Sequence, residues 1–209
     1  MRVAGSLSLL PLLVLACGTP PTRPPVSVEP VGRGVAEHQV TPVNQLLTPH
    51  GTFVELPGLR PQAIAAAANG RHVYLAGKTS ELLVADVATG AIVQRVELPG
   101  GRRRGQLSYT GLLASPDGSR IYLSDVNGAV AVFAVDDHGT VSAARSLPLP
   151  PANAPRRGAE IPCGLALSHD GAKLYVCGNL SNTLLELDLA TGEVLRTFAV
   201  GVAPFDVVL

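Results

Sequence analysis

Three nine-residue stretches of this chain superimpose on their own residues: NGRHVYLAG (Asn69 to Gly77), DGSRIYLSD (Asp117 to Asp125) and DGAKLYVCG (Asp170 to Gly178). Each is a turn dipeptide, two linking residues and an apolar-Tyr-apolar run. The turn glycines Gly70, Gly118 and Gly171 lie 48 and 53 residues apart. Further along, LLVADVATGAIVQRVEL answers LLELDLATGEVLRTFAV, with Asp86 and Gly90 matching Asp188 and Gly192. The middle copy, VAVFAVDDHGTVSAARSL, keeps the shape around a degraded turn. A period near 50 built only of strands and turns predicts propeller blades.

Each unit reads as four antiparallel strands. In the third copy these are Cys163 to Leu167, Lys173 to Cys177, about Thr183 to Asp188 and about Val194 to Val200. Asp-Gly and Ala-Thr-Gly supply the positive φ that tight reversals need. With 22 Gly, 18 Pro and only 15% charged residues, long Glu/Lys/Leu-rich helices are excluded. The expected fold is all-β: an incomplete β-propeller of about three four-stranded antiparallel blades plus the first strand of a fourth. The blades fall at about 59–100, 106–150 and 160–201 within a partial propeller at 41–209. Strand 202–209 starts the next blade, and strand 51–57 (in GTFVELPG) is ring-closing. A propeller needs four to eight blades, so the chain is expected to be a fragment.

Residues 1–17 read as a signal segment, with Arg2 as its only charge and an apolar stretch too short to span a bilayer comfortably. Val14-Leu15-Ala16-Cys17 resembles the bacterial lipobox, which implies lipidation at Cys17; plain signal cleavage after Ala16 is the alternative. Either route makes the mature protein extracytoplasmic, periplasmic or an outer-membrane lipoprotein, with membrane contact through an N-terminal lipid anchor only. Residues 18–40 are a Pro-rich tether.

The third copy resembles the YVTN repeat of bacterial extracytoplasmic β-propellers, in the lactonase-like seven-bladed superfamily. The matching residues are Leu174-Tyr175-Val176, Ser181-Asn182-Thr183, Asp188 with Thr191, and Val200-Gly201 before Pro204. The second copy departs from the pattern at Asp136-Asp137-His138-Gly139. The pattern also resembles the propeller half of envelope proteins in which an alkaline-phosphatase-like domain follows. The resemblance implies an envelope-anchored binding or scaffold module. The alternatives are the propeller part of a bifunctional phosphoesterase whose catalytic domain lies beyond Leu209, and a lactonase-like hydrolase.

Lys+Arg and Asp+Glu are 16 each, which gives no basic field for nucleic acid. Trp is absent, which excludes the Trp-Asp signature of WD40 blades. Gly-x-Ser-x-Gly and Ser-x-x-Lys are missing. His38, His50, His72, His138 and His169 show no metal-binding spacing, so no metal, cofactor or catalytic residue is expected. Asp86, Asp136 and Asp188 recur at strand ends, where turn bonding is the expectation. Two inter-blade loops carry Arg102, Arg103, Arg104 and Arg156, Arg157. Lys78, Asp125, Asn127, Asn179 and Asn182 lie in loops on the same face, which marks a channel mouth for an anionic small molecule or an envelope protein. Solvated loop charge is the alternative. Cys163 and Cys177 are expected to face each other, with Leu167 opposite Lys173, and could form a disulfide in an oxidising compartment.

Overall fold

The structure, a computed structural model, describes residues 39–40, 45–47, 54, 56, 60–77, 80–99 and 107–209. The chain divides into two compact units, Met1–Gly51 and Thr52–Leu209. In the first, β1 (Gln39–Val40) pairs antiparallel with β2 (Leu46–Leu47). The expected signal segment with Cys17 lies outside the described residues, as does nearly all of the expected tether. Of the expected ring-closing strand only Val54 and Leu56 are described. No helix among the described residues is long and apolar enough to cross a membrane.

The second unit is all-β, with three antiparallel four-stranded sheets. Sheet 1 holds β3 (Pro61–Ala66), β4 (His72–Gly77), β5 (Glu81–Asp86) and β6 (Ile92–Glu97). Sheet 2 holds β7 (Leu107–Ala114), β8 (Arg120–Asp125), β9 (Ala129–Val135) and β10 (Val141–Pro148). Sheet 3 holds β11 (Pro162–Leu167), β12 (Lys173–Gly178), β13 (Thr183–Asp188) and β14 (Val194–Ala199). Each is a plain meander, and the hairpin glycines Gly70, Gly118 and Gly171 have φ of 65°, 74° and 69°.

Alternation along the strands builds two inter-sheet cores. Tyr74, Ala76, Leu82 and Val84 of sheet 1 meet Ile121, Leu123, Ala131 and Phe133 of sheet 2. Tyr122, Val130 and Val132 of sheet 2 meet Leu174, Val176, Leu185 and Leu187 of sheet 3. The opposite face of sheet 1, with Leu75, Leu83 and Ala85, carries Leu56.

Along the inner edge, the strands β3, β7 and β11 each break register at the same place, between Pro61 and Ala63, Leu107 and Leu112, and Pro162 and Leu165. Bulges of this kind bend the strand that carries them. There Ser124 Oγ donates to the Cys163 carbonyl at 2.6 Å, tying sheet 2 to sheet 3 inside the core. Ser124→Ala leaves that buried carbonyl unmet, and urea melts should show a loss of about 1–2 kcal/mol with an unchanged slope.

The expected register is corrected at the hairpin end of β11 and β12. Leu167 pairs with Leu174 rather than Lys173, because Ser168 closes the hairpin onto Lys173, its amide 3.0 Å from the Lys173 carbonyl. The bulge then shifts the strands by one residue and places Cys163 within the irregular stretch, while Cys177 pairs with Leu184 on the other side. Both cysteines are buried thiols, with no disulfide between them. Burial pushes the Cys177 thiol up to about 11, and the Cys163 thiol and Asp206 add to the shift. A thiol this basic is a poor nucleophile at neutral pH.

Candidate functional site

The ends of the sheets differ in construction. At one end, hairpin turns consume their own carboxylates. Asp86 Oδ1 accepts from the Ala88 and Thr89 amides at 3.1 and 2.9 Å, and Arg71 Nε lies 3.0 Å from Oδ2. The Arg71 bond, helped by the Thr89 amide and hydroxyl, holds the Asp86 carboxyl down at about 2. Asp188 Oδ1 takes the Ala190 and Thr191 amides at 2.7 and 2.8 Å, and Asp136 Oδ1 takes those of His138 and Thr140 at 2.9 and 2.7 Å. These bonds lower both carboxyls. Asp117 is held at about 2 first by the Ser115 hydroxyl, then by the Ser119 amide and hydroxyl. The expectation of turn bonding at the recurrent aspartates is therefore met in their geometry.

A pH dependence follows. An unfolded aspartate titrates near 3.9, so depressed groups stabilise the fold above that value and lose the contribution as pH falls through their folded values. Stability should be flat above about pH 5 and fall between roughly pH 4 and 2. Asp86→Asn and Asp117→Asn together should flatten the fall in acid melts.

The other end carries the predicted mouth. The 151–161 loop folds across sheets 2 and 3: the Ala152 amide donates to the Gly158 carbonyl at 2.9 Å, and the Asn153 amide to Ser181 Oγ at 2.9 Å. Arg157 donates from Nε to the Ala159 carbonyl at 3.1 Å and from Nη2 to the Val126 carbonyl. Its guanidinium is thus spent on the backbone, while Arg156 is exposed beside it. Asp125 Oδ1 accepts from the Asn127 amide and side chain at 2.9 and 2.8 Å. Asn179 Nδ2 donates to the Pro204 carbonyl at 3.3 Å. Asn182, at φ 57°, accepts the Ala203 amide at 2.9 Å. The structure thus puts Asp125, Asn179, Asn182 and Arg157 to work on loop backbone, while the Asn127 side chain donates to the Asp125 carboxylate. Lys78, Arg102, Arg103 and Arg104 lie outside the described residues.

Sequence reasoning missed Glu160, which is fully buried. Its Oε1 accepts the Ile161 and Leu180 amides at 2.9 and 2.8 Å and so locks the 151–161 loop to the β12–β13 turn. Its place next to the arginines disguised it as loop charge. Beside the Asp125–Gly128 turn runs a groove of about 490 Å³ between the outer edges of sheets 1 and 2, lined by Leu98, Pro99, Asp125, Asn127, Ser146 and Pro148 among others. Among the described residues, no group of three or more His, Cys, Asp or Glu is placed to hold a metal.

No family model matches the sequence, and no curated relative does. Solved structures do resemble it. A periplasmic gluconolactonase of Pseudomonas aeruginosa superposes with TM-score 0.57 at 22% identity, covering 81% of this chain and 48% of that one. A structure titled a 6-phosphogluconolactonase from Bacteroides uniformis gives 0.56 at 18%, covering 79% and 49%. Kuenenia stuttgartiensis hydrazine synthase gives 0.56 at 18%, covering 75% and 40%. The chain spans half or less of the length of these structures, and identities this low carry the fold alone. With three meandering sheets stacked face to face around bulged inner strands, the chain is all-β and its sheets are blades of a β-propeller.

Proposed function

We propose that this propeller is a non-catalytic binding or scaffold module, held outside the cytoplasm by a lipid anchor at Cys17, and that its mouth takes an anionic small molecule. The observation that carries this reading is the 151–161 loop. It is pinned by Glu160, Arg157 and Asn153, and it carries the exposed Arg156 in the loop repeat-equivalent to that of Arg102, Arg103 and Arg104. The turn aspartates are spent on backbone amides and are anions at neutral pH, which suits structure and not proton transfer. The periplasmic gluconolactonase among the similar structures supports an extracytoplasmic place.

Calorimetry on the full chain, with inorganic phosphate and with 6-phosphogluconate as probes, tests the proposal. Weak binding that fades with salt is expected, and Arg103→Ala with Arg156→Ala should lower affinity non-additively. Arg157→Ala should instead loosen the loop, read as faster amide exchange at 152–158. No binding, or unchanged binding in the double variant, overturns the anion site.

A second reading is a lactonase-like hydrolase, favoured by the two lactonase-titled structures. A pH-stat assay with gluconolactone separates the two readings, because the binding module adds nothing to the spontaneous rate.

A further inference from the structure

The third strand of the middle sheet turns later than its neighbours. In sheets 1 and 3 an aspartate ends that strand, Asp86 opposite His72 and Asp188 opposite Lys173. In sheet 2 the same place is held by Ala134, opposite Arg120. There β9 runs on to Val135 before Asp136-Asp137-His138-Gly139 reverses the chain. The displaced turn reaches the β3–β4 hairpin of sheet 1. A Cβ built on Gly139 would lie 3.6 Å from Asn69 Nδ2 and 3.7 Å from the His72 ring.

Between that turn and that hairpin is a cavity of about 230 Å³, lined by Ala67, Asn69 and Tyr74 of sheet 1 and by Asp117, Val135 and Asp137 of sheet 2 among others. The equivalent cleft between sheets 2 and 3, of about 360 Å³, has the sister tyrosine Tyr122 in its wall but no residue of the β13–β14 turn.

Two groups in the first cavity do nothing for the fold. Tyr74 is only 3% exposed, yet its hydroxyl has no hydrogen-bond partner among the described residues. A buried polar group left unmet is costly. Asp137 makes no hydrogen bond or ion pair among them either, whereas Asp117 and Asp136 each hold turn amides. The two groups also differ in surroundings. Burial alone raises the Tyr74 hydroxyl, with no charged group contributing, while Tyr122 feels Arg120, Arg145 and Asp117. The phenol therefore marks an uncharged part of the cavity, and the charge lies at the turn.

That charge is negative. Asp117, Asp136 and Asp137 all line the cavity, with no Lys or Arg in its wall. Arg120 acts on Asp117 but lines the other cleft, and His138 acts on Asp136. Three carboxylates against Arg120 leave two negative charges, or one when His138 is protonated. The carboxylates are not gathered as a metal site. Ala67, Ala68 and Val135 add an apolar wall. A matching molecule has an ammonium group, a short aliphatic chain and a second polar end. A volume of about 230 Å³ is the liquid share of about eight waters, enough for a four-carbon chain with a polar group at each end.

We infer that the cavity closed by the Asp136-Asp137-His138-Gly139 turn binds a short aliphatic diamine or amino alcohol, with its ammonium on Asp137 and Asp136 and its far polar end on the Tyr74 hydroxyl. The site is at the opposite end of the sheets from the Arg156 loop and takes the opposite charge, so either proposal can fail without the other.

Titration calorimetry on the full chain with 1,4-diaminobutane should show saturable binding at one site. Asp137→Asn should weaken it about tenfold and Tyr74→Phe about threefold, as expected for losing a charge-assisted and a neutral hydrogen bond. Asp137→Asn should leave the melt unchanged, and Tyr74→Phe should leave it level or raise it, because the hydroxyl removed has no partner in the fold. Tyr122→Phe, in the sister cleft, should not affect binding. 1-Aminobutane, which lacks the second polar end, should bind the parent and Tyr74→Phe equally and more weakly than the diamine binds the parent. Absence of binding overturns the inference, as does an Asp137→Asn variant that binds like the parent. 1-Aminobutane bound as tightly as the diamine would take Tyr74 out of the site and overturn it as well. Calcium chloride displacing the diamine in an Asp137-dependent way would assign the cavity to a divalent cation instead.

Discussion

Gly111→Val should abolish cooperative folding of the Thr52–Leu209 unit. A Cβ built at Gly111 would sit 1.7 Å from Ser124 Oγ and 2.2 Å from the Cys163 carbonyl oxygen, the two atoms joined by the hydrogen bond between sheets 2 and 3. Neither can yield cheaply. The carbonyl is backbone in a bulged inner strand, and Ser124 is fully buried. A β-branched residue there must push β7 away from β11, breaking the bond and opening the core around Tyr122 and Leu165. Overpacking alone costs about 1–3 kcal/mol, and adding an unmet carbonyl and hydroxyl brings the loss to more than about 4 kcal/mol. That is a large part of the stability of a typical domain. Gly111→Ala should be severe but smaller. Circular dichroism melts decide it: a sigmoid within about 1 kcal/mol of the parent would show that the inner strands are loosely stacked and that the bond is incidental.

That glycine shows where sequence reading succeeded and where it ran out. The hairpins were legible because Gly70, Gly118 and Gly171 announce positive φ, and the strands because their apolar residues alternate about a repeated tyrosine. Gly111 sits mid-strand, where a glycine has several possible meanings, and only the approach of Ser124 picks one. Register at Leu167 was misread because a bulge is invisible in an alternating pattern, although all three inner strands carry an irregularity, of one residue in β3 and β11 and of three in β7. The arginines of the expected mouth were grouped by their loops and not sorted. Charge and loop position look alike for Arg156 and Arg157, and the difference lies in which guanidinium finds a carbonyl. Glu186 and Glu160 were passed over because neither alternation nor spacing marks a buried carboxylate whose partners lie on other strands or loops.

Residues 41–209 expressed alone should self-associate without a defined stoichiometry, and the cause should map to one corner. Of the eleven large hydrophobic residues exposed among those described, seven are Leu195, Phe198, Val200, Val202, Phe205, Val208 and Leu209. They belong to β14 and the segment after it, where Val202 and Val208 are 90% and 89% exposed. In sheet 3 the same repeat positions are covered: Leu165 and Ala166, equivalent to Val207 and Val208, are buried. Scattered apolar side chains on a surface need no cover, but a contiguous set along one strand and one unpaired segment drives association. The backbone of 204–209 adds to this, since it forms no strand ladder in the structure and its remaining amides and carbonyls are available to another chain. Val202→Glu, Phe205→Ser and Val208→Lys together should therefore yield a smaller and better-defined species by light scattering, with the melt unchanged because none of the three is buried. Extension by a blade should do the same by covering the corner. A monodisperse, cooperatively melting 41–209 monomer, or aggregation indifferent to the triple substitution, would show that this corner is not where the surface is sticky.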